Sequence, residues 1–131
     1  MIRPGVTFLL WLAFAVFVVL NDAVGDTWIG EALSVRAVEW YKVLVPLPYA
    51  AMLAIIHARR TAGPQWLGAA LLAALLWPGS TAVVDFLYLR LTYDAAPEAF
   101  LDRFGGPYPL LLVALFALPL VAGAALRRPS A

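Results

Sequence analysis

Long apolar runs alternate with short polar segments along the chain, and this pattern predicts four membrane-spanning helices. The apolar runs occupy about residues 6–22, 39–57, 65–92 and 108–126. A helix that crosses the hydrocarbon core of a bilayer needs about 20 mostly apolar residues, so each run suffices for one crossing. Together with their connections the runs use nearly all of the 131 residues. We therefore predict an all-α, polytopic four-helix transmembrane bundle in a single domain.

The connections between the runs add detail to this prediction. In residues 26–38 apolar positions recur at a roughly helical spacing, which predicts an amphipathic helix lying in the membrane interface. The loop at residues 58–64 is short, so spans two and three are expected to pack as an antiparallel pair. Span three is too long for a perpendicular crossing of about 30 Å. It is expected either to kink or to unwind at Pro78-Gly79.

Small residues form stripes on the last two spans and predict close contacts between helices. Helices in lipid associate by close backbone approach, which small side chains permit. The stripes are Ala69, Ala70, Ala73 and Ala74 on span three, and Ala114, Ala117, Ala122, Gly123 and Ala124 on span four.

Composition agrees with a membrane protein and excludes several kinds of site. Hydrophobic residues make up 64% of the chain and charged residues 13%, against roughly 25% charged residues in a soluble domain. The chain has no cysteine and one histidine, His57, so neither a thiolate site nor a multi-histidine metal site is available. We expect no cofactor and no metal. The basic residues form no patch of the size that nucleic acid requires, so nucleic acid is not an expected partner.

The distribution of charge predicts the orientation of the spans. The eight acidic residues all fall at one end of the apolar runs: Asp22, Asp26, Glu31, Glu39, Asp85, Asp94, Glu98 and Asp102. The opposite ends carry only arginines, at positions 3, 59, 60, 127 and 128. Because Lys and Arg accumulate in cytoplasmic loops, both termini and the middle loop are expected to be cytoplasmic. The expected location is a bacterial plasma (inner) membrane, with the lipid bilayer as first partner.

A layer of polar residues is predicted near the outer ends of the spans. At 1.5 Å rise per residue, Asn21, Lys42, Asp85 and Tyr108 all lie about 25 to 28 Å from the cytoplasmic ends. Charged groups near hydrocarbon are costly and usually find partners inside the protein. Lys42 and Asp85 are therefore predicted to form an ion pair, joined by Asn21 or Asp22.

The same layer yields the candidate site residues. Thr81, Asp85 and Tyr88 share one face of span three by their helical spacing and are predicted to line a shallow cavity open to the outside. With Asn21, Asp22 and Lys42 they form the predicted ligand-binding set. The simpler interpretation, which the pattern favours, is that Lys42 and Asp85 form only a structural clasp. His57 is expected at the membrane interface. Arg103 is expected, with the other charged residues of the outer loops, to be solvated.

These observations leave more than one function open. The sequence contains no recognised catalytic motif. A small membrane protein that acts by association, as a homo-oligomer or as an accessory subunit of a larger membrane complex, is the first expectation. The alternative is a small transporter, or a protein that binds a ligand or lipid in the outer polar layer. A lipid-modifying enzyme with Asp85 as its base ranks last.

A short set of segments resembles one group of known proteins. They are Leu20-Asn21-Asp22, residues 26–30, Leu67-Gly68, Asp85-Phe86, residues 109–113 and Pro119-Leu120. In layout they are similar to small bacterial four-span membrane proteins of unknown function. The resemblance implies a four-helix membrane fold and carries over no activity or site residue.

Overall fold

Helices account for nearly all of the computed structural model, which describes residues 2–128. Three long helices are α1 (Pro4–Val24), α4 (Trp66–Tyr93) and α6 (Tyr108–Leu126). The shorter helices are α2 (Val35–Leu44), α3 (Pro46–Thr61) and α5 (Pro97–Asp102), and no strand forms in this part of the chain. A π-helical turn, Gly25–Ile29, extends α1, and a 3₁₀ turn, Arg103–Gly105, precedes α6.

Within residues 2–128, four helical stretches are long and apolar enough to cross a membrane. They are Pro4–Ile29, Val35–Thr61, Trp66–Tyr93 and Tyr108–Leu126. The surfaces that these helices expose are strongly apolar: Leu9, Leu75 and Val121 are each more than 60% exposed. Such a surface suits contact with lipid rather than with water. The predicted all-helical chain with four apolar spans is confirmed, which is consistent with a multi-pass membrane protein.

Helix α6 packs between α3 and α4, while α1 contacts the other sides of the same two helices. Spans two and three contact each other, as predicted for consecutive spans, but each packs more extensively on α6. The core contains Phe14 and Val18 of α1, with Leu111 and Leu115 of α6.

Small residues explain how closely α4 and α6 approach. The predicted alanine stripe of α4 is fully buried: Ala69, Ala70, Ala73 and Ala74 are each at most 2% exposed. A side chain added at Gly123 of α6 would meet the Cβ of Ala70 at 3.1 Å. Of the predicted stripe on α6 only Gly123 is fully buried. Tyr108, Leu111, Leu115 and Pro119 fill the rest of the buried α6 face.

Two local predictions can be compared with the helices that form. Residues 26–38 form no separate interfacial helix, because Gly25–Ile29 continues α1 and Val35–Leu44 begins the second span. Ser34 starts that span, since its Oγ accepts a hydrogen bond from the backbone N–H of Ala37. Span three does not unwind: α4 is continuous through Pro78 and Gly79. In span two the helical path continues through Val45, whose φ of −67° and ψ of −42° are helical, and Pro46 and Pro48 follow it.

Candidate functional site

Asp26 connects three helices through a complete set of hydrogen bonds. The Lys42 Nζ lies 2.7 Å from Asp26 Oδ1. The hydroxyls of Tyr88 and Tyr93 each donate to Asp26 Oδ2 at 2.9 Å. The π-helical turn that carries Asp26 is a local widening of a kind often found at functional sites. Lys42 is thus paired with Asp26, and the predicted ion pair between Lys42 and Asp85 does not form among the described residues.

Asp85 has different partners, from α6 and from the turn before it. The Tyr108 hydroxyl donates to Asp85 Oδ2 at 2.6 Å, and Arg103 Nη1 lies 3.8 Å from the same oxygen. The Arg103 guanidinium also stacks over the Tyr108 ring, 4.0 Å from its centroid. Arg103 was expected to be a solvated loop residue. Its side chain is only 6% exposed, because the 3₁₀ turn folds it back onto the helix ends.

Asn21 and Asp22, at the end of α1, are buried without such partners. Asp22 is 1% exposed and Asn21 7%. Within residues 2–128, neither carboxylate oxygen of Asp22 nor the Nδ2 of Asn21 has a hydrogen-bond partner, and Asp85 Oδ1 also lacks one. Asp22 lies within electrostatic range of Asp85, Arg103, Lys42 and Asp26. We call this group, together with Asn21 and Tyr108, the outer polar cluster, after the end of the spans that the charge pattern predicts to face outward.

The outer polar cluster is rich in unused hydrogen-bond acceptors. Three aspartates face two cations, Lys42 and Arg103, so the formal charge is one negative unit. Leaving a buried polar atom without a partner costs about 1–3 kcal/mol, and more for a charged group. Native proteins therefore normally supply a partner, and where the chain supplies none, water or a bound molecule does so.

Two cavities lie beside the outer polar cluster, and Glu39 lines both. The larger, about 340 Å³, lies between the start of α2 and the segment from α5 to Gly106. The smaller, about 170 Å³, is lined by Asp26 and Lys42 among others. Glu39 Oε2 is buried and has no hydrogen-bond partner in the described range. The cluster thus has adjoining space that a small molecule can enter.

The predicted face of span three does not act as one surface. Thr81 lies deeper, where its Oγ1 accepts a hydrogen bond from Trp11 Nε1 at 3.2 Å. Asp85 points to Tyr108, and Tyr88 points to Asp26. Of the predicted site residues, Asn21, Asp22, Lys42 and Asp85 belong to the outer polar cluster, Tyr88 touches it, and Thr81 does not.

A second polar group lies near the opposite end of the helices and is internally satisfied. His57 Nε2 and Thr7 Oγ1 are 2.7 Å apart, and the Trp77 indole donates to the Thr7 carbonyl at 3.1 Å. The His57 ring also packs edge-on against Trp77. His57 is 1% exposed, so it lies between the helices rather than on their surface, about one turn from the end of α3. This group links α1, α3 and α4 and serves their packing.

The unpaired polar atoms of the outer polar cluster are suited to hydrogen bonds with a small polar species. Within the described range no group of three or more His, Cys, Asp or Glu side chains could hold a metal ion. Asp85 is fully buried beneath Tyr108 and Arg103, which is unfavourable for a base that must reach a lipid. No protein-family model, no curated protein and no solved structure matches the chain.

Proposed function

We propose that this protein is a four-helix membrane bundle that binds a small polar solute in its outer polar cluster. Both termini face the cytoplasm in this proposal, and the membrane is a bacterial plasma membrane. The arginines at positions 3, 59, 60, 127 and 128 support the orientation, since positive residues accumulate on the cytoplasmic side.

One observation carries the proposal: Asp22 is buried and has no partner within residues 2–128. A purely structural clasp would satisfy its own atoms, as Asp26 does through Lys42, Tyr88 and Tyr93. Asp22 and Asn21 instead offer two acceptors and a donor to something outside the chain. An intramembrane ionisable residue is by default a candidate functional residue.

The same arrangement supports movement of the solute across the membrane. Lys42 lies in the last turn of α2, four residues before Pro46, the first residue of α3. Because proline has no backbone N–H, Pro46 cannot donate to the Lys42 carbonyl, and prolines inside helices tend to kink them. A solute that alters the Lys42–Asp26 pair would therefore act next to a weakened point in its own span.

Native mass spectrometry of the protein released gently from its membrane tests the proposal. Wild type is expected to carry a bound small molecule, and Asp22→Ala is expected to lose it. Asp94→Ala is the matched control, because the Asp94 side chain is 92% exposed. A wild-type protein that is always bare, or a solute retained by a folded Asp22→Ala variant, would refute solute binding.

Orientation has its own test, since the natural chain has no cysteine. Single cysteines replace Glu98, on the expected outer side, and Arg60, on the expected cytoplasmic side. A membrane-impermeant maleimide should label the first in intact cells and the second only after permeabilisation. The reverse pattern would overturn the orientation.

A second candidate function, association with another membrane protein, is favoured by one surface feature. An apolar groove of about 440 Å³ runs along the end of α1 between Leu20 and Trp28, and Trp28 is 71% exposed. The buried alanines of α4, however, are used within the chain and are not free for a partner. Association would be favoured if the same mass spectra show oligomers or a second, co-released subunit. Trp28→Ala should then remove that assembly.

A further inference from the structure

The larger cavity beside the outer polar cluster has the size and lining of a small-molecule site. Its volume of about 340 Å³ falls within the range of roughly 300–1,000 Å³ typical of such sites. Four charged side chains line it, Arg36, Glu39, Asp102 and Arg103, and Val35 and Ala99 supply an apolar part of the wall. Arg103 also connects the cavity to Asp85 in the outer polar cluster.

The four charged side chains of this cavity form no ion pairs with one another among the described residues. In the described part of the chain, neither Glu39 nor Arg36 forms an ion pair, and the ion pair of Arg103 is with Asp85. Glu39 Oε2 and Arg103 Nε are both buried and have no partner within residues 2–128. The residues that line the cavity thus include one unused acceptor and one unused donor. Both atoms are covered in the structure, so a solute reaches them only when the surrounding side chains shift.

We propose that this cavity binds a small zwitterion, a solute that carries both an ammonium group and a carboxylate, as an amino acid does. The ammonium group donates to Glu39. The carboxylate accepts from Arg103 Nε and from the more exposed Arg36, and such charge-assisted hydrogen bonds are about twice as strong as neutral ones. An ion of one sign satisfies only one of the two orphaned atoms. This inference rests on the proposed solute-binding function and names the solute class.

Gly106 sets the position of Arg36 in this cavity. A Cβ added at Gly106 would lie 2.5 Å from Arg36 Nη1, so the absent side chain leaves the space that the guanidinium occupies. The backbone of Gly106, with φ −111° and ψ −151°, is extended and open to alanine. Gly106→Ala therefore displaces the end of Arg36 without changing any charge.

Isothermal titration calorimetry on the full-length protein in lipid nanodiscs tests the solute class. The probes are three zwitterions of increasing length, glycine, β-alanine and γ-aminobutyrate, together with acetate and methylammonium. At least one zwitterion is expected to bind ten or more times as tightly as either singly charged probe. If no zwitterion exceeds both acetate and methylammonium, the inference is overturned.

Variants then test whether this cavity is the site. Glu39→Gln and Gly106→Ala are each expected to weaken zwitterion binding by about tenfold or more. Only Glu39→Gln is expected to weaken the residual binding of methylammonium. Glu98→Gln, an exposed change on α5, is the matched control and should have no effect. Zwitterion binding that both cavity variants leave unchanged would overturn the assignment.

The failure of this inference is distinguishable from that of the proposed function. A solute seen by native mass spectrometry and lost in Asp22→Ala, without zwitterion selectivity in calorimetry, overturns the zwitterion and keeps solute binding. A bare protein in mass spectrometry that also binds none of the five probes overturns both.

Discussion

The choice of partner by Lys42 can be tested by two double-mutant cycles. One cycle combines Lys42→Met with Asp26→Asn, and the other combines Lys42→Met with Asp85→Asn. Lys42 Nζ is 2.7 Å from Asp26 Oδ1, whereas Asp85 is held by Tyr108 and Arg103. The first cycle should therefore show a large coupling free energy and the second a small one.

The burial of the two side chains sets the expected size of the coupling. The Lys42 side chain is 8% exposed and that of Asp26 23%, so the pair lies between a surface pair and a fully buried one. Exposed pairs contribute up to about 1 kcal/mol, and hydrogen bonds to charged groups about 1.5–3 kcal/mol. We expect a coupling of about 2 kcal/mol between Lys42 and Asp26. Without direct contact, Lys42 and Asp85 should couple by about 0.5 kcal/mol or less.

Each cycle requires the free energy of unfolding of four proteins: the wild type, the two single variants and the double variant. We would measure it in mixed micelles, by following circular dichroism as the mole fraction of denaturing detergent is raised. Arg90 and Asp94 form an ion pair at 3.4 Å with side chains 51% and 92% exposed. The same cycle on that pair is a control and should show no measurable coupling. A coupling of Lys42 with Asp85 as large as that with Asp26 would refute the assigned pairing.

Three further variants test the contacts that hold the helices together, by the same unfolding measurement. Tyr108→Phe removes the 2.6 Å hydrogen bond to Asp85 and should cost about 2 kcal/mol; an unchanged stability would mean that this bond is not formed. Gly123→Ala should lower the free energy of unfolding by about 1–3 kcal/mol, because the added methyl overpacks α4 against α6. Gly79→Ala is its control and should not destabilise the protein, since its added methyl meets nothing within 4 Å. Equal effects of the two changes would contradict the close packing of α4 on α6. Thr7→Val removes the hydroxyl 2.7 Å from the single histidine and should cost about 1–3 kcal/mol, and a neutral result would exclude that hydrogen bond.

Depth along the helices was predictable from the sequence, and for a simple reason. Span length is fixed by the thickness of the hydrocarbon, and rise per residue is constant. Counting residues therefore brought Asn21, Lys42, Asp85 and Tyr108 to one level, and all four are buried. The same counting gave the approximate bounds of the four apolar helices.

Direction around the helix axes was not predictable in the same way. Rise per residue says how high a side chain lies but not which neighbour it faces, so Lys42 was assigned to Asp85 rather than to Asp26. The assignment also assumed that α1 ends near residue 22, whereas its helical path continues to Ile29 and carries Asp26 with it. The burial of Arg103 was not predicted, because the depth of a loop residue depends on the geometry of its turn, which residue counting does not give. The one available signal was that Arg103 is the basic residue closest in sequence to the start of α6.

Asp22 and Asp26 are one helical turn apart on the same stretch, and the contrast between them carries the main functional argument. Asp26 has three donors and contributes to holding α1, α2 and α4 together. Asp22 has no hydrogen-bond donor within the described residues. Its burial therefore destabilises the fold, relative to an apolar residue at the same position. Local features that oppose stability are expected at functional sites, where binding uses what folding leaves unsatisfied. This contrast supports the proposal that the polar atoms of Asp22, Asn21 and the neighbouring cavity bind a molecule that the chain itself does not supply.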